Sequence, residues 1–235
     1  MSLTTIDGKP VHRPFAWSFS ALDSFRTCAK KYYHEKVKKD FVEPIGEHLI
    51  WGNRVHAAMA KRIETGVPLP EGMKQWEKWV DWAMTPYPRK MYVEQKLAVT
   101  NELKPCKYFD RDVDPWFRTV ADVISLNGKT ARLIDWKTGK VKESDQLSLG
   151  AAVVFIHYPE VEQVTSSFVF LKDDVKLEEA FTRTSIPAIW TRSLPGVIAL
   201  HNAIRTDVWP ANPSGLCVAH CSITSCPYYG KGNRG

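Results

Sequence analysis

Hydrophobic and polar positions along this chain repeat with two different periods, and each change of period marks a change of element. Ser18-Phe19-Ser20-Ala21-Leu22-Asp23-Ser24-Phe25 reads as a capped helix start with Leu22 and Phe25 facing inward. That helix is expected to run on through Cys28 into a basic stretch, Lys30 to Lys39, interleaved with Tyr32 and Tyr33. A second helix, Ile50 to Glu64, ends near Gly66 and sets His56, Met59, Ala60 and Ile63 on one face. After a Pro/Gly turn, Trp76, Trp79 and Trp82 mark a helix from about Met73 to Met84, stopped by Thr85-Pro86-Tyr87-Pro88. Alternation then takes over. Met91 to Thr100 is a strand with Glu94 on its polar side, Pro105 to Pro115 a loop, and Trp116 to Lys137 a pair of strands. Thr138-Gly139-Lys140 turns the chain out of this pair. Ser144 caps a helix that carries Gln146 and ends before Pro159. Val161 to Leu171 is a further strand, and Ile186 to Ala203 a helix broken at Pro195. Helices followed by strand, hairpin, helix and strand form an α/β sandwich pattern.

The strand pair carries the chemistry. Asn127-Gly128 between β-rich runs predicts a two-residue turn centred there, which pairs Asp122 with Leu133 and Val120 with Asp135. Asp122, Asp135 and Lys137 then project from one face, the two carboxylates as diagonal neighbours roughly 7 Å apart at the backbone. Asp122 shares its side with Val120, Ile124 and Leu126, and Asp135 with Leu133 and Ala131. A charge on an apolar face costs several kcal/mol unless it is paired or bound to metal. Two readings fit: a divalent cation with activated water, or an Asp–Lys salt bridge on a hairpin.

Composition narrows the classes. The 235 residues are 44% hydrophobic and 25% charged, enough for one large domain with a substantial core. Nine tryptophans are many for this length, and Trp76, Trp79 and Trp82, at a spacing of three, are read as packing aromatics on one helix face. With 32 Lys+Arg against 26 Asp+Glu, the net charge of +6 suits a polyanionic partner without naming one. The basic stretch from Lys30 is either a solvated helix face or a phosphate-contacting one. No run of about 18 apolar residues exists, and Met1 to Pro14 is polar, so neither a membrane span nor a signal peptide is expected. A reducing cytoplasm follows, in which the five cysteines are thiols or metal ligands. Residues 1–16 are expected to be a leader, 17–210 one domain, and 211–235 a cysteine-containing tail packed on it.

Asp122, then Ile134-Asp135-Trp136-Lys137-Thr138-Gly139, then Gln146-Leu147 on a following helix resembles the PD-(D/E)XK nuclease superfamily. More narrowly it is similar to the RecB-type branch, which includes CRISPR-adaptation nucleases and phage exonucleases. The segment from Ser18 and Ser20 through Asp23, Phe25 and Cys28 to Tyr32 resembles that branch's opening signature, Gly52-x-x-x-His56 its histidine motif, and Glu94 its strand glutamate. The resemblance implies a restriction-endonuclease-like core with a central mixed sheet flanked by helices. It implies a metal-dependent DNA nuclease, an exonuclease of recombination, repair or end processing. Asp122, Asp135 and the backbone carbonyl of Trp136 would bind Mg²⁺ or Mn²⁺, and His56 would ligate or position at a metal. Lys137 would polarise or deprotonate the attacking water, and Gln146 would orient Lys137 or a phosphate. The implied partner is DNA, as single strands or duplex ends, with room for a recombination partner protein, in the cytoplasm of a host if the chain is phage-encoded. Ala121 replaces the family motif's proline, and Gly150 stands where the branch often has tyrosine. The rival readings are a non-catalytic nucleic-acid-binding module of the same fold and an endonuclease specific for RNA or for structure.

Cys217, Cys221 and Cys226 form a C-x3-C-x4-C run near the C-terminus. Iron–sulfur members of the branch use one cysteine before the basic N-terminal helix and three near the C-terminus. The resemblance therefore implies a [4Fe–4S] cluster on Cys28, Cys217, Cys221 and Cys226. Zinc, with His220 as a ligand, and reduced packing thiols are the alternatives. Cys106 has no partner in sequence.

Overall fold

Ser18 illustrates how locally the first element is specified. Its hydroxyl accepts the Ala21 N–H at 3.2 Å, opening α1 (Phe19–Thr27), in which Leu22 is buried. The computed structural model describes residues 16–41, 46–85, 90–110, 112–141 and 144–231. All but the last residue of the expected leader lies outside these ranges, as do Pro86, Tyr87 and Pro88. The chain divides into two units, one of residues 46–192 and one joining 1–45 with 193–235.

In the first unit the sheet has the order β2-β1-β3-β4-β5-β6. The strands are β1 (Lys90–Val99), β2 (Pro105–Cys106), β3 (Phe117–Asn127), β4 (Thr130–Lys137), β5 (Gln163–Phe170) and β6 (Val175–Thr182). All neighbours are antiparallel except β4 and β5, whose connection is the helix α5 (Gln146–His157). The sheet is therefore mixed and flanked by helices, as expected. One face is covered by α3 (Glu47–Thr65), a 3₁₀ turn (Glu71–Trp76) and α4 (Glu77–Met84). Val55, Met59, Trp76 and Val80 of this layer share a core with Val123, Ile134, Trp136 and Val169 of the sheet. Trp79 and Trp82 pack on the same core, so the tryptophan row is a packing row. Leu133 and Ile134, as neighbours in a strand, point to opposite faces. On the Leu133 face lies α5, where a Cβ on Gly150 would sit 2.5 Å from Leu133 Cδ2. Leu147 to Phe155 are all buried, which explains why that helix is apolar on every side apart from Ser148.

The hairpin turn lies one residue later than expected, which shifts the strand pairing by two. Asn127 pairs with Thr130 and Ile124 with Leu133, so the turn residues are Gly128 and Lys129. Gly128 takes the positive φ (56°) at the first central position, the signature of a type II′ turn, while Asn127 stays in the strand. An even shift leaves every side chain on its face but changes its partner. Three further differences concern capping, β6 and β2, which opens the expected Pro105–Pro115 loop with two residues paired to β1. Asp145 caps α5, with Ser144 Oγ accepting the Gln146 N–H at 3.4 Å, and β6 was not anticipated.

The second unit also departs from a continuous N-terminal helix. Cys28 is extended (φ −162°, ψ 109°), followed by α2 (Ala29–Tyr32) and a π-helical turn (Tyr33–Lys38). Tyr32 is buried, and the Tyr33 ring lies 5.3 Å from that of Trp209, so both tyrosines face inward. Lys38 pairs with Asp40 at 2.6 Å in the open, whereas Lys31 and Glu35, 3.4 Å apart, are largely covered. The C-terminal segment returns to these helices: Lys30 N–H donates to Pro210 O at 3.1 Å. A short α7 (Leu216–Ala219) follows. The unit boundary falls inside α6 (Ile186–Thr206), which runs through Pro195 without a break. Proline removes one backbone donor, and the turns on either side keep the rest of the ladder.

Candidate metal centre

Asp122 stands where the ladders on both sides of β3 open. The β1–β3 register runs Val93↔Val123 and Gln95↔Ala121, setting Glu94 opposite Asp122 without a ladder pair. The β3–β4 register ends at Val123↔Ile134, and its next step sets Asp122 opposite Asp135. The two aspartates are thus lateral neighbours in this register rather than the diagonal pair expected. Glu94 adopts φ 50°, a left-handed conformation that costs a non-glycine residue on the order of 1–2 kcal/mol. Strain of this kind collects at functional sites. The freed backbone is partly satisfied by side chain, since the Trp136 N–H donates to Asp122 Oδ2 at 2.7 Å.

The other carboxylate oxygen of Asp122 meets His56, which α3 delivers from the next layer, with Nδ1 3.3 Å from Oδ1. Ligand atoms of His56, Glu94 and Asp122 all lie within 4.8 Å of one another, the one such group among the described residues. An imidazole and two carboxylates are a donor set suited to Mg²⁺ or Mn²⁺, so the residues present fit a divalent ion. The electrostatics are those of a site short of positive charge. The hydrogen bond that His56 donates to Asp122 raises the His56 pKa, and partial desolvation followed by the charge of Asp122 raises that of Glu94. A bound cation relieves both carboxylates.

Next to this group Lys137 is fixed by two partners. Its Nζ lies 2.8 Å from Asp135 Oδ1 and donates to Gln146 Oε1 at 3.0 Å, while Gln146 Nε2 donates to Asp135 Oδ2 at 2.5 Å. The three side chains close a ring between the end of β4 and the first turn of α5. The ammonium also lies 4.8 Å from the centroid of Phe168 on β5. Asp135 is largely withdrawn from solvent, its side chain 16% exposed, and that desolvation, then the charge of Asp122, pushes its pKa up to about 6 despite Lys137. A cleft of about 620 Å³ opens over the metal group, lined by His48, Gly52, Asn53, His56, Glu94 and Thr138. Gly52 lets α3 approach β4: a Cβ there would be 3.3 Å from Thr138 Oγ1.

The sequence expectations map onto this place unevenly. His56, Asp122, Asp135, Lys137 and Gln146 are joined by the contacts above. The part of Trp136 seen at work is its N–H, on Asp122, and its ring is buried in the core. Glu94 enters the metal group although it was noted only as a strand glutamate; its signal was a lone acid at mid-strand in the register of Asp122. Gly150 stands where it does because α5 meets Leu133 too closely for a larger residue. Cys28, Cys217, Cys221 and Cys226 are all half-buried free thiols of the unit containing both chain ends. Asn212 N–H approaches Cys28 Sγ at 3.5 Å, and Ser214 N–H approaches Cys217 Sγ at 3.4 Å.

The site thus lies in a mixed sheet with helices on both faces, at the acidic group where the central ladders open. The chain belongs to the PD-(D/E)XK nuclease superfamily, whose family model matches residues 16–229. Among solved structures, it is similar to a protein from Eubacterium rectale named "putative exonuclease" (12% identity, 80% of this chain and 82% of that one, TM-score 0.46). It is also similar to the protein SSO0001 (14% identity, 80% and 78% covered, TM-score 0.39). No curated protein sequence matches the chain. Among the described residues, no helix is long and apolar enough to cross a membrane.

Proposed function

We propose that the protein is a metal-dependent deoxyribonuclease acting as an exonuclease in recombination, repair or end processing. The observation that carries the catalytic reading is the meeting of His56, Glu94 and Asp122 beside the Lys137–Asp135–Gln146 ring. A pure binding module has no use for clustered carboxylates facing a polyanion. The exonuclease reading and the choice of DNA rest on the RecB-type motifs of the sequence.

Asp122, Glu94, His56, Asp135 and the Trp136 carbonyl would hold the Mg²⁺ or Mn²⁺. When bound, the ion supplies charge neutralisation at the phosphate and acidifies water. The chain's own groups do the rest. Asp122 is anchored by the Trp136 N–H, so its second oxygen keeps a fixed direction. Lys137, held from two sides, presents its ammonium to the attacking water or the phosphate oxygens. Gln146 has its amide committed to both Asp135 and Lys137, and so fixes the rotamers of both. Catalysis by a held cation of this kind is positional and electrostatic.

The test is incubation of labelled single-stranded DNA, duplex DNA and RNA with the protein in Mg²⁺, Mn²⁺ or EDTA. DNA should be degraded from its ends with either metal and not in EDTA. Asp122→Ala, Asp135→Ala and Lys137→Ala should each lower turnover by at least about a hundredfold, with binding largely kept. Near-normal turnover in a folded Asp135→Ala protein would refute the site.

Cys28, Cys217, Cys221 and Cys226 would hold a [4Fe–4S] cluster. The fit rests on four thiols within one unit and on backbone N–H groups aimed at two of the sulfurs, the kind of hydrogen bond that tunes such clusters.

A further inference from the structure

A second cleft, of about 640 Å³, opens at the first turns of α3, lined among others by Trp51, Gln75, Trp76, Thr138, Lys172 and Asp174. Thr138 lines this cleft and the one over the metal group, so the two adjoin where the chain leaves β4. Its floor is rigid: Trp76 is buried and its Nε1 donates to Leu171 O at 2.8 Å. Its wall is open: Trp51 is 43% exposed, its ring centroid 6.4 Å from that of Trp76 and tilted by 59°. One side of the indole meets Trp76 and the rest is left in water, an apolar face open to the cleft. The rim does not repel an anion. Asp174 is engaged by the Lys78 ammonium and by Trp79 Nε1 at 2.9 Å, and Lys172 is exposed at the same edge.

We propose that this cleft receives an unpaired nucleobase of the substrate strand, stacked on Trp51, beside the phosphate held at the metal group. The proposal rests on the nuclease reading above and names its substrate class, single-stranded nucleic acid at the point of cleavage. Trp51 and His56 stand five residues apart on α3, and each lines one of the two clefts that meet at Thr138. A flat aromatic group followed by phosphate matches an indole face next to a basic rim, and stacking accepts any base. A base inside a duplex cannot offer its face to the wall, because its neighbours already cover it.

The test uses the Asp135→Asn protein and the same protein carrying Trp51→Ala or Trp51→Phe. Each is titrated in EDTA with fluorescein-labelled oligonucleotides: single-stranded DNA, single-stranded RNA and blunt duplex DNA. Trp51→Ala should weaken single-strand binding about tenfold or more, Trp51→Phe much less, and duplex binding should change by less than about twofold. Comparable losses for DNA and RNA strands locate recognition in the base face, and a loss for one alone shows that the sugar takes part in the same pocket. Oligonucleotides with one abasic position should show a single sensitive position in the Trp51 protein and none in Trp51→Ala. Unchanged single-strand affinity, or equal losses on strand and duplex, would overturn the proposal. If Trp51→Ala fails to fold by circular dichroism, the abasic scan on the Trp51 and Trp51→Phe proteins decides. Failure of metal-dependent cleavage would instead strike the nuclease reading, which these binding titrations do not measure.

Discussion

Asp122 and Asp135 sit side by side in the same sheet and are treated differently by their surroundings. Asp122 receives a backbone N–H and an imidazole, whereas Asp135 is largely withdrawn from solvent beside it with Lys137 as its cation. For Asp135 the desolvation and the neighbouring charge outweigh Lys137, and the carboxyl is raised to about 6. Its folded pKa is above its unfolded one, so the ionised form disfavours the fold. The penalty is absent below the unfolded value, grows as pH rises towards about 6, and is complete at pH 7. In metal-free protein, Asp135→Asn should therefore be more stable than the parent by roughly 1–3 kcal/mol at pH 7, a few degrees in Tm. The gain should shrink towards zero near pH 4, and it should be accompanied by loss of cleavage. Thermal melts in EDTA at the two pH values check this. A lower Tm for Asp135→Asn at pH 7 would mean that the Lys137 pair, not the desolvated charge, dominates the site.

At the scale of elements, the sharpest constraint is the approach of α5 to β4 at Gly150. A side chain there meets Leu133 within the core, so Gly150→Leu should cost about 1–3 kcal/mol by overpacking, lowering Tm by roughly 3–10 °C. Leu133→Ala in the same chain should recover part of that loss by opening the space. A Tm unchanged by Gly150→Leu would mean that the helix can slide away from the sheet. Glycine at this position was readable in the sequence only as a departure from a motif, because the contact that demands it is made across 17 residues of chain. Elements with strong local signals were legible: the Ser18 cap, the Gly66 end of α3, and the alternation of β1. The turn of the hairpin was misplaced because both Asn-Gly and Gly-Lys satisfy a two-residue loop, and only the partner strand decides between them. The strand β6 was missed because Lys176, Glu178, Glu179 and Ala180 make it read as polar or helical. That polarity is what protects an edge strand from pairing with another chain. The site was legible where it lies in one hairpin and less so where it is assembled. Glu94 gains its meaning only from the register that sets it opposite Asp122, and His56 only from the layer that α3 forms.

At the scale of the whole molecule, the two ends of the chain fold into one unit although nearly 150 residues of sheet and helix intervene between them. Such a unit must close a very long loop, and each doubling of loop length adds only about 0.6 kcal/mol to the entropic cost. Among the contacts that close it are Lys30 N–H on Pro210 O, Asn212 on Thr27 O and Cys28 Sγ, and Tyr32, Tyr33 and Phe25 packed around Trp209. The tail beyond Ser214 offers little core of its own, with Ile223 buried but Leu216 and Val218 exposed. A metal cluster on Cys28, Cys217, Cys221 and Cys226 would supply the missing constraint, because ligands from both ends held on one group restrict the unfolded chain. Protein purified without oxygen, with iron supplied, should then be brown, with broad absorbance at the blue edge of the visible from thiolate-to-iron charge transfer. Cys221→Ser should bleach it and expose both chain ends to trypsin, while the Lys137–Asp135–Gln146 ring, which lies in residues 46–192, stays intact. Elemental analysis should find iron rather than zinc. Colourless protein without bound iron, and termini equally resistant in Cys221→Ser, would show that hydrogen bonds and the Trp209 ring cluster hold the ends together unaided.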